Sequence, residues 1–394
     1  MKINKQELLQ FADQCVKCGQ CLAVCPTYNL YQNEAESPRG RISLIQGLMH
    51  GHLDSTDKTT LLHLDHCLYC GNCESACPSG VNYIKLLDRS KQLYPVNAIA
   101  SWQLDLLTNK KLFTPGRAAS RFLPQRLKNH VPAIFQQALS LSTPKVKPVT
   151  YKAASATSDR KKIGIFTGCI GHQIDSKAIN LTARLLDYCG LEAVIPRTQS
   201  CCGAIYQHEG HSDKAERLLQ KNQQVFYHED VEKVIFFASG CGTWLKQGDF
   251  SMPVIEATRF IASLDEVARF RASIEGKIAI HRPCSLDSSG KGWDIMLQLI
   301  QAIAGEQLVE LPGNDSCCGS AGLHFLKHPQ AARQLLAPKL QSLMDIAPRK
   351  LLTANTGCTL HFYNGIEERG LDIEVMHPAE WVSGLLLQGK DLSR

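Results

Sequence analysis

Eight cysteines near the N-terminus follow one spacing that occurs twice, C-x2-C-x2-C-x3-C with proline directly after it. Three thiolates at this spacing wrap one face of an iron–sulfur cube, while the fourth points away and completes a second cube. The pattern therefore predicts two [4Fe–4S] clusters, each with three ligands from one motif and one from the other. The two expected ligand sets are Cys15, Cys18, Cys21 with Cys77, and Cys67, Cys70, Cys73 with Cys25.

Structural zinc is the alternative use of these cysteines. Zinc is satisfied by two C-x2-C pairs and does not need a triplet with a displaced Cys-Pro, repeated. Gly19 and Gly71 lie inside the loops, where their small size lets backbone amides approach the sulfurs and stabilise the reduced state. The pattern therefore favours clusters over zinc.

A longer repeat occupies the C-terminal part of the chain. The segment from Lys161 to about Asp265 reappears from Gly276 to about Gly384, at an offset of 115 to 117 residues. A self-match at a fixed period indicates duplicated structural units. Each copy reads as strand–helix–strand–helix–strand, which predicts a small parallel α/β sheet.

Each copy carries four cysteines directly after its predicted strands. Ligands of open parallel sheets bind at the carboxyl ends of the strands, so four thiols are expected to converge at one edge of each sheet. One or two further iron–sulfur clusters are predicted, with zinc or an empty dithiol site as alternatives. The two sets are Cys169, Cys201, Cys202 and Cys241, and Cys284, Cys317, Cys318 and Cys358.

Three neighbouring residues are interpreted as structural. Cys189 belongs to a predicted helix and has Ala304 as its counterpart in the second copy, so we expect it in an apolar core. His208 and His324 each lie six residues beyond their double cysteine. A lone histidine is more often a structural hydrogen-bonding residue than a metal ligand.

Composition and spacing together predict the domain organisation. The chain of 394 residues is 44% hydrophobic and 20% charged, as in ordinary folded proteins. Apolar residues at helical spacing around the first motifs predict helices, one of them beginning at Ser37 and Pro38. The expected class is α+β multidomain: a helical two-cluster ferredoxin-type domain (1–95), a basic helical connector (96–160), and two duplicated small α/β domains with parallel sheets (161–265 and 266–394).

The net charge of +6 resides in the connector. Between Val96 and Thr150, eight basic residues stand against one acid, Asp105, which gives this stretch +7 and leaves −1 for the remainder. Such a segment can hold a protein on the anionic cytoplasmic face of a membrane, dock an acidic partner, or be a solvated connector. The basic residues are Lys110, Lys111, Arg117, Arg121, Arg126, Lys128, Lys145 and Lys147.

Targeting and catalytic signatures are missing from the sequence. The N-terminus lacks the apolar core of a signal peptide, and no stretch approaches the roughly 18 apolar residues that cross a bilayer. A cytoplasmic protein with reduced cysteines is therefore expected, with no nucleic acid as partner. No G-x-G-x-x-G, phosphate loop or flavin signature is found, so no catalytic residue is predicted and hydride chemistry is assigned to a flavoprotein partner.

The spacing C-x31-CC-x38-C followed by C-x32-CC-x39-C resembles the cysteine-rich CCG domains of heterodisulfide reductase subunits. The same domains occur in the iron–sulfur subunits of glycolate oxidase and anaerobic glycerol-3-phosphate dehydrogenase. The whole layout, with the segments CPTYNLYQNEAESPRGRISLIQG, CPSGVNY and SCCGSAG, is most similar to the glycolate oxidase iron–sulfur subunit family.

The resemblance implies an electron-transfer subunit of a membrane-associated glycolate dehydrogenase, peripheral on the cytoplasmic face of the inner membrane. Electrons would come from an FAD-containing or FMN-containing partner subunit and pass towards quinone or another acceptor. The alternatives are the iron–sulfur subunit of a D-lactate or anaerobic glycerol-3-phosphate dehydrogenase, or of a thiol-disulfide (heterodisulfide-type) reductase.

One departure from the heterodisulfide reductase pattern bears on these alternatives. That pattern ends in C-x-x-C, whereas the final positions here are Trp244 and His361. Each repeat therefore has four thiols, and His361 could join those of the second repeat. The missing cysteines argue against disulfide-reducing chemistry.

Overall fold

The computed structural model describes residues 5–94, 99–109, 133–144, 148–151, 160–268, 270, 272–286 and 291–388. The part before Tyr94 consists of helices joined by loops, as the helical spacing predicts. Its elements are α1 Lys5–Asp13, α2 Gln20–Ala23, α3 Pro26–Tyr31, a 3₁₀ turn at Glu34–Glu36, α4 Pro38–Met49, α5 Lys58–Asp65, α6 Asn72–Ser75 and α7 Tyr83–Leu93.

Helix α4 begins where the sequence predicts. The Ser37 hydroxyl accepts a hydrogen bond from the Gly40 amide at 2.9 Å, and Pro38 occupies the first turn, where a missing N–H leaves no hydrogen bond unmade. Ile42 and Ile45 lie on the buried face of the helix. The helix packs against α1 and α7.

The connector contributes two described helices, α8 Ser101–Thr108 and α9 Ala133–Ser140. The eight basic residues of the connector lie outside the described residues. Within the part of the chain that the structure describes, no helix is both long and apolar enough to span a bilayer.

Each long repeat folds as a four-stranded parallel sheet, with strand orders β2-β1-β3-β4 and β6-β5-β7-β8. The predicted α+β class, with two duplicated parallel units, is confirmed. The prediction of three strands per repeat is incomplete, since each sheet has a fourth, three-residue strand, β4 or β8. The strands are β1 Lys162–Phe166, β2 Glu192–Val194, β3 Lys233–Phe236, β4 Val254–Glu256, β5 Ile278–His281, β6 Leu308–Glu310, β7 Lys350–Thr353 and β8 Glu374–Met376.

Helices cover both sheets. In the first repeat they are α10 Gly171–Ile174, α11 Ser176–Tyr188, α12 Ala204–His208, α13 Ser212–His228, α14 Ser239–Leu245, α15 Ala257–Ile261 and α16 Asp265–Ala268. In the second repeat they are α17 Lys291–Ala304, a 3₁₀ turn at Gly305–Gln307, α18 His324–Lys327, α19 Pro329–Ile346, α20 Thr356–Glu368 and α21 Pro378–Leu387.

One apolar core joins the two sheets. Helix α11 of the first repeat packs on α21 of the second, and α15 of the first packs on α17 of the second. These are equivalent helices in exchanged roles, so the repeats contact each other reciprocally. Ile163 and Ile165 of β1 and Ile278 and Ile280 of β5 belong to the same buried cluster. The two repeats are therefore one packed body.

Candidate functional site

Four cysteines of the N-terminal motifs line one narrow cavity of about 20 Å³ between α4 and α7. Three belong to the second motif and one ends the first, which is one of the two sets that the spacing predicts. Gly71 has a φ of +76°, which glycine adopts without strain, and it turns the loop around the sulfurs. The cysteines are Cys67, Cys70, Cys73 and Cys25.

A buried guanidinium faces this cavity. Arg41 is 1% exposed and lines the cavity wall. Its Nη2 donates to Glu36 Oε2 at 2.6 Å and its Nε donates to the carbonyl oxygen of His63 at 2.6 Å. Glu36 Oε1 also contacts the Nδ1 atoms of His63 and His66, each at 2.7 Å. A fixed positive charge beside thiolates favours the more negative, reduced state of a cluster that they hold.

The other expected set lies closer to the surface. Cys15, Cys21 and Cys77 are half-buried, and Cys18 is exposed. Val16, directly after Cys15, is 70% exposed, so the surface beside these thiols carries an apolar side chain. These thiols are the ones that a partner protein can approach most closely.

The eight cysteines of the long repeats line a single cavity of about 210 Å³. The sequence predicts two separate groups and gives no signal that they meet. They meet because the reciprocal helix packing brings the carboxyl ends of both sheets together. The lining cysteines are Cys169, Cys201, Cys202, Cys241, Cys284, Cys317, Cys318 and Cys358.

The sulfurs of the second repeat are in contact. Cys318 Sγ lies 3.1 Å from Cys358 Sγ, and Cys284 Sγ lies 3.7 Å from Cys317 Sγ. Hydrogen bonds with Cys317 and Cys358 hold the pKa of Cys318 well below its usual value. Thiolates packed this closely fit the donor set of an iron–sulfur cluster or of zinc.

Glycine is required after each double cysteine. Gly203 and Gly319 have φ values of +106° and +90°, where other residues are strained. A Cβ on Gly203 would meet the Ala215 carbonyl oxygen at 2.6 Å, and one on Gly319 would meet the Ala332 carbonyl oxygen at 2.9 Å. The backbone of α13 or α19 therefore packs directly on each cysteine loop.

Residues that the sequence interprets as structural make structural contacts. His208 Nδ1 lies 3.2 Å from Asp88 Oδ1, and His324 Nδ1 lies 3.1 Å from the Gly319 carbonyl oxygen. Cys189 caps the C-terminus of α11 and packs against the apolar core between the sheets.

Sequence reasoning missed His281, the last residue of β5. Its side chain is buried, and one ring nitrogen, Cys318 Sγ and Cys358 Sγ all lie within 4.8 Å of one another. Its place at the end of a strand, three residues before Cys284, is the signal that could have identified it. His361, which the sequence analysis does name, is also buried, and its hydrogen bond contributes to the lowered pKa of Cys318.

A carboxyl group also lines the shared cavity. Asp175 is buried and accepts a hydrogen bond from the Thr356 hydroxyl. Burial raises the pKa of Asp175 to about 7. A group that exchanges a proton near neutral pH therefore lies beside the repeat cysteines.

Two residues separate the two cavities. Leu68 and Tyr69, between the first two cysteines of the second motif, line both the narrow cavity and the shared one. Burial, and after it the nearby Cys284 thiol, raises the pKa of Cys70. The second N-terminal motif and the second repeat are thus neighbours in space.

Polar contacts fix this arrangement. Asn72 Nδ2 donates to the Asp315 carbonyl oxygen at 2.8 Å, two residues before the second double cysteine. The buried carboxylate of Asp65 accepts from Lys327 Nζ at 2.6 Å and lies 3.0 Å from His328 Nε2. Both contacts link the N-terminal helices to the second repeat.

Comparison with known proteins agrees with this geometry. The family model for the 4Fe-4S dicluster domain matches residues 14–81, and the model for the cysteine-rich CCG domain matches residues 163–246 and 278–363. The aspartate racemase of Picrophilus torridus covers 58% of this chain and 92% of its own, with 15% identity and a TM-score of 0.31, a likeness too weak to carry an argument.

Curated relatives match over most of the chain. The glycolate oxidase iron–sulfur subunit of Escherichia coli is 31% identical, with 88% of each chain covered. The probable glycolate oxidase iron–sulfur subunit of Bacillus subtilis is 28% identical, covering 96% of this chain and 94% of its own. Lactate utilization protein A of Bacillus thuringiensis is 26% identical over 56% of this chain and 97% of its own. The chain therefore belongs to the glycolate oxidase iron–sulfur subunit family, as its motifs predict.

Proposed function

We propose that this chain is the iron–sulfur electron-transfer subunit of a membrane-associated glycolate dehydrogenase complex. One observation carries the proposal: Leu68 and Tyr69 line both the cavity of an N-terminal cysteine set and the cavity of the repeat cysteines. Electrons can therefore pass between the two groups across a wall of two side chains. The relatives named as glycolate oxidase iron–sulfur subunits support glycolate as the substrate of the complex.

Two [4Fe–4S] clusters supply one-electron transfer when bound. Cys15, Cys18, Cys21 and Cys77 would hold the cluster nearer the surface, on the side that faces the FAD-containing or FMN-containing partner subunit. Cys67, Cys70, Cys73 and Cys25 would hold the inner cluster, and the buried Arg41 beside them would favour its reduced state. The repeat cysteines of the shared cavity would hold one or two further clusters, and no substrate-oxidising site is expected in this chain.

The proposal that electrons pass to a membrane quinone rests on the positive charge of the connector. The basic residues between Val96 and Thr150 hold the chain on the anionic cytoplasmic face of the inner membrane, where quinone is reduced. Replacing these eight residues by glutamine should move the protein out of the membrane fraction. Unchanged membrane recovery and unchanged complex assembly would leave the segment as a solvated connector.

D-Lactate is the second candidate substrate, because lactate utilization protein A is among the relatives. The partner subunit decides between the two 2-hydroxy acids. An anaerobic glycerol-3-phosphate dehydrogenase subunit and a thiol-disulfide reductase subunit are less favoured, the latter because Trp244 and His361 stand where the disulfide-reducing pattern has cysteines.

The test is anaerobic purification of the chain with its flavoprotein partner, followed by iron, sulfide and zinc analysis. Each N-terminal cluster holds four irons, so an iron content clearly above about eight per chain would show that the repeats also hold clusters. Glycolate should reduce an artificial acceptor faster than D-lactate or glycerol 3-phosphate does. Cys202→Ser and Cys318→Ser should lose that activity. Stoichiometric zinc with almost no iron would overturn the proposal.

A further inference from the structure

The two cysteine sites of the repeats differ at equivalent strand positions. In the first sheet Phe166 of β1 pairs with Phe236 of β3, and in the second sheet His281 of β5 pairs with Thr353 of β7. Each pair ends its strands directly before the cysteine loops. An aromatic hydrocarbon therefore occupies the place in the first repeat that an imidazole occupies in the second.

The imidazole of His281 is held in one orientation. Its side chain is 1% exposed, and its Nδ1 lies 2.9 Å from the Thr353 hydroxyl oxygen. The ring of Phe362 packs edge-on against it, with 4.9 Å between centroids. Metal-bound histidines use one nitrogen for the metal and the other for an orienting hydrogen bond, and Thr353 supplies the second of these.

The remaining nitrogen has no protein partner. Among the described residues, Nε2 of His281 is buried without a hydrogen bond. A buried polar atom that makes no hydrogen bond is unfavourable unless something else satisfies it. A ring nitrogen of His281, Cys318 Sγ and Cys358 Sγ form a group within 4.8 Å of one another. The fold therefore places the buried imidazole of His281 beside two thiols and leaves its Nε2 without a protein hydrogen bond.

We propose that Nε2 of His281 is a ligand of the iron–sulfur cluster in the second repeat, beside the four thiolates of that repeat. This rests on the proposed function, which loads the repeats with clusters. The first repeat has no such ligand, because Phe166 cannot coordinate metal. A neutral imidazole adds no negative charge to the four thiolates, so the two repeat clusters differ in their ligand sets.

A second difference between the two repeat sites is one of charge. Lys339 of α19 is 2% exposed, and its ammonium donates to the carbonyl oxygen of Gly313, at the start of the second cysteine loop. In the first repeat Asn222 of α13 holds the equivalent loop through its amide, 2.9 Å from the Cys201 carbonyl oxygen. The second site thus has a buried cation where the first has a neutral side chain.

Nitrogen spectroscopy tests the ligand directly. The complex is purified anaerobically from a histidine auxotroph grown on ¹⁵N-histidine, partly reduced, and examined by electron–nuclear double resonance. We expect one strongly coupled nitrogen that changes with the isotope and disappears in His281→Ala. His324→Ala is the matched control, because His324 also has a buried, unpartnered Nε2, and it should keep the signal.

His281→Cys covers the case in which His281→Ala loses the cluster. A thiolate at this position should restore the iron content, remove the nitrogen coupling and lower the potential of that cluster. A nitrogen signal that survives in His281→Cys, or more than about eight irons per chain with no strongly coupled nitrogen, would overturn the ligand assignment and leave the proposed function standing. An iron content that stays at eight would instead refute the loading of the repeats.

Discussion

The ring of Tyr69 packs against the ring of His208, with 4.0 Å between their centroids and 33° between the ring planes. The Tyr69 hydroxyl donates to the His208 carbonyl oxygen at 3.4 Å, and His208 Nδ1 lies 3.2 Å from Asp88 Oδ1. Tyr69 stands between Cys67 and Cys70, so this contact fixes a cysteine loop of the N-terminal domain against the first repeat. The second repeat is held to the same loop through Asn72.

Tyr69→Leu tests whether this contact holds the electron path. Loss of the aromatic pair should cost about 0.5–1.5 kcal/mol of stability, with an unchanged iron content. Reduction of the repeat clusters by the N-terminal clusters, followed by stopped-flow spectroscopy, should become slower. Tyr227→Leu is the control, since Tyr227 is 66% exposed. Equal reduction rates in Tyr69→Leu and Tyr227→Leu would mean that Tyr69 has no part in electron transfer between the two groups.

Asp65→Asn should destabilise the junction between the N-terminal helices and the second repeat. The carboxylate is buried against Lys327, Lys91 and His328. Burial raises the pKa of Asp65, but these three partners outweigh it and hold the pKa well below the usual range. Removing one partner of a buried ion pair costs about 3–5 kcal/mol. Chemical denaturation should show this loss, and the exposed Glu306→Gln should not. A change below about 1 kcal/mol, typical of surface ion pairs, would contradict the prediction.

Gly319→Ala should prevent loading of the second repeat. The new methyl group would meet the Ala332 carbonyl oxygen at 2.9 Å, at a φ of +90°. Gly305→Ala is the matched control, because Gly305 also has a positive φ, +56°, with open space around its Cβ direction. Iron content per chain should fall only in Gly319→Ala. An equal fall in both variants would mean that the strained backbone, and not the contact with Ala332, causes the loss.

Glu256 should make stability depend on pH near neutrality. Its carboxylate caps α15, with hydrogen bonds from the Thr258 and Arg259 amides, but burial raises its pKa to about 7. The folded state keeps a proton that the unfolded state releases near pH 4.5, so stability is greatest below that pH and is lost as pH rises towards 7. The slope approaches about 1.4 kcal/mol per pH unit at most.

Thermal denaturation of the anaerobic protein between about pH 4.5 and pH 8 measures this effect, because the change lies between the pKa values of the unfolded and folded states. Glu256→Gln keeps a capping oxygen and removes the titration, so its midpoint should depend less on pH than that of the parent protein. Parallel curves for the two proteins would show that another group is responsible.

Lys339→Met should lower the reduction potential of the second repeat cluster. The ammonium lies near Cys318 and Cys317; burial lowers the pKa of Lys339, and these thiols oppose that shift. Loss of a buried positive charge disfavours the added electron. A redox titration followed by electron paramagnetic resonance measures the change, with the exposed Lys161→Met as control. An unchanged potential would mean that this cation does not act on the cluster.

The sequence alone determined the chemistry. Cysteine spacing identified two N-terminal cluster motifs, because ligands three residues apart are a local property of one loop. Period and apolar pattern identified two parallel α/β repeats, and strand ends located their cysteines. The bounds of β7, Lys350–Thr353, and the cap of α4 at Ser37 were also readable, because caps and strand patterns are local.

Tertiary structure decided how these parts meet. The reciprocal packing of α11 on α21 and of α15 on α17 unites the eight repeat cysteines in one cavity. No local pattern encodes such contacts, and α11 and α21 are about 200 residues apart in the chain. The same holds for Tyr69 on His208 and for His281 beside Cys318. Only the folded sheet shows that the imidazole of His281 is buried beside two thiols and that its Nε2 has no hydrogen bond among the described residues. Packing between distant segments, rather than local propensity, therefore decides which cysteine groups are neighbours.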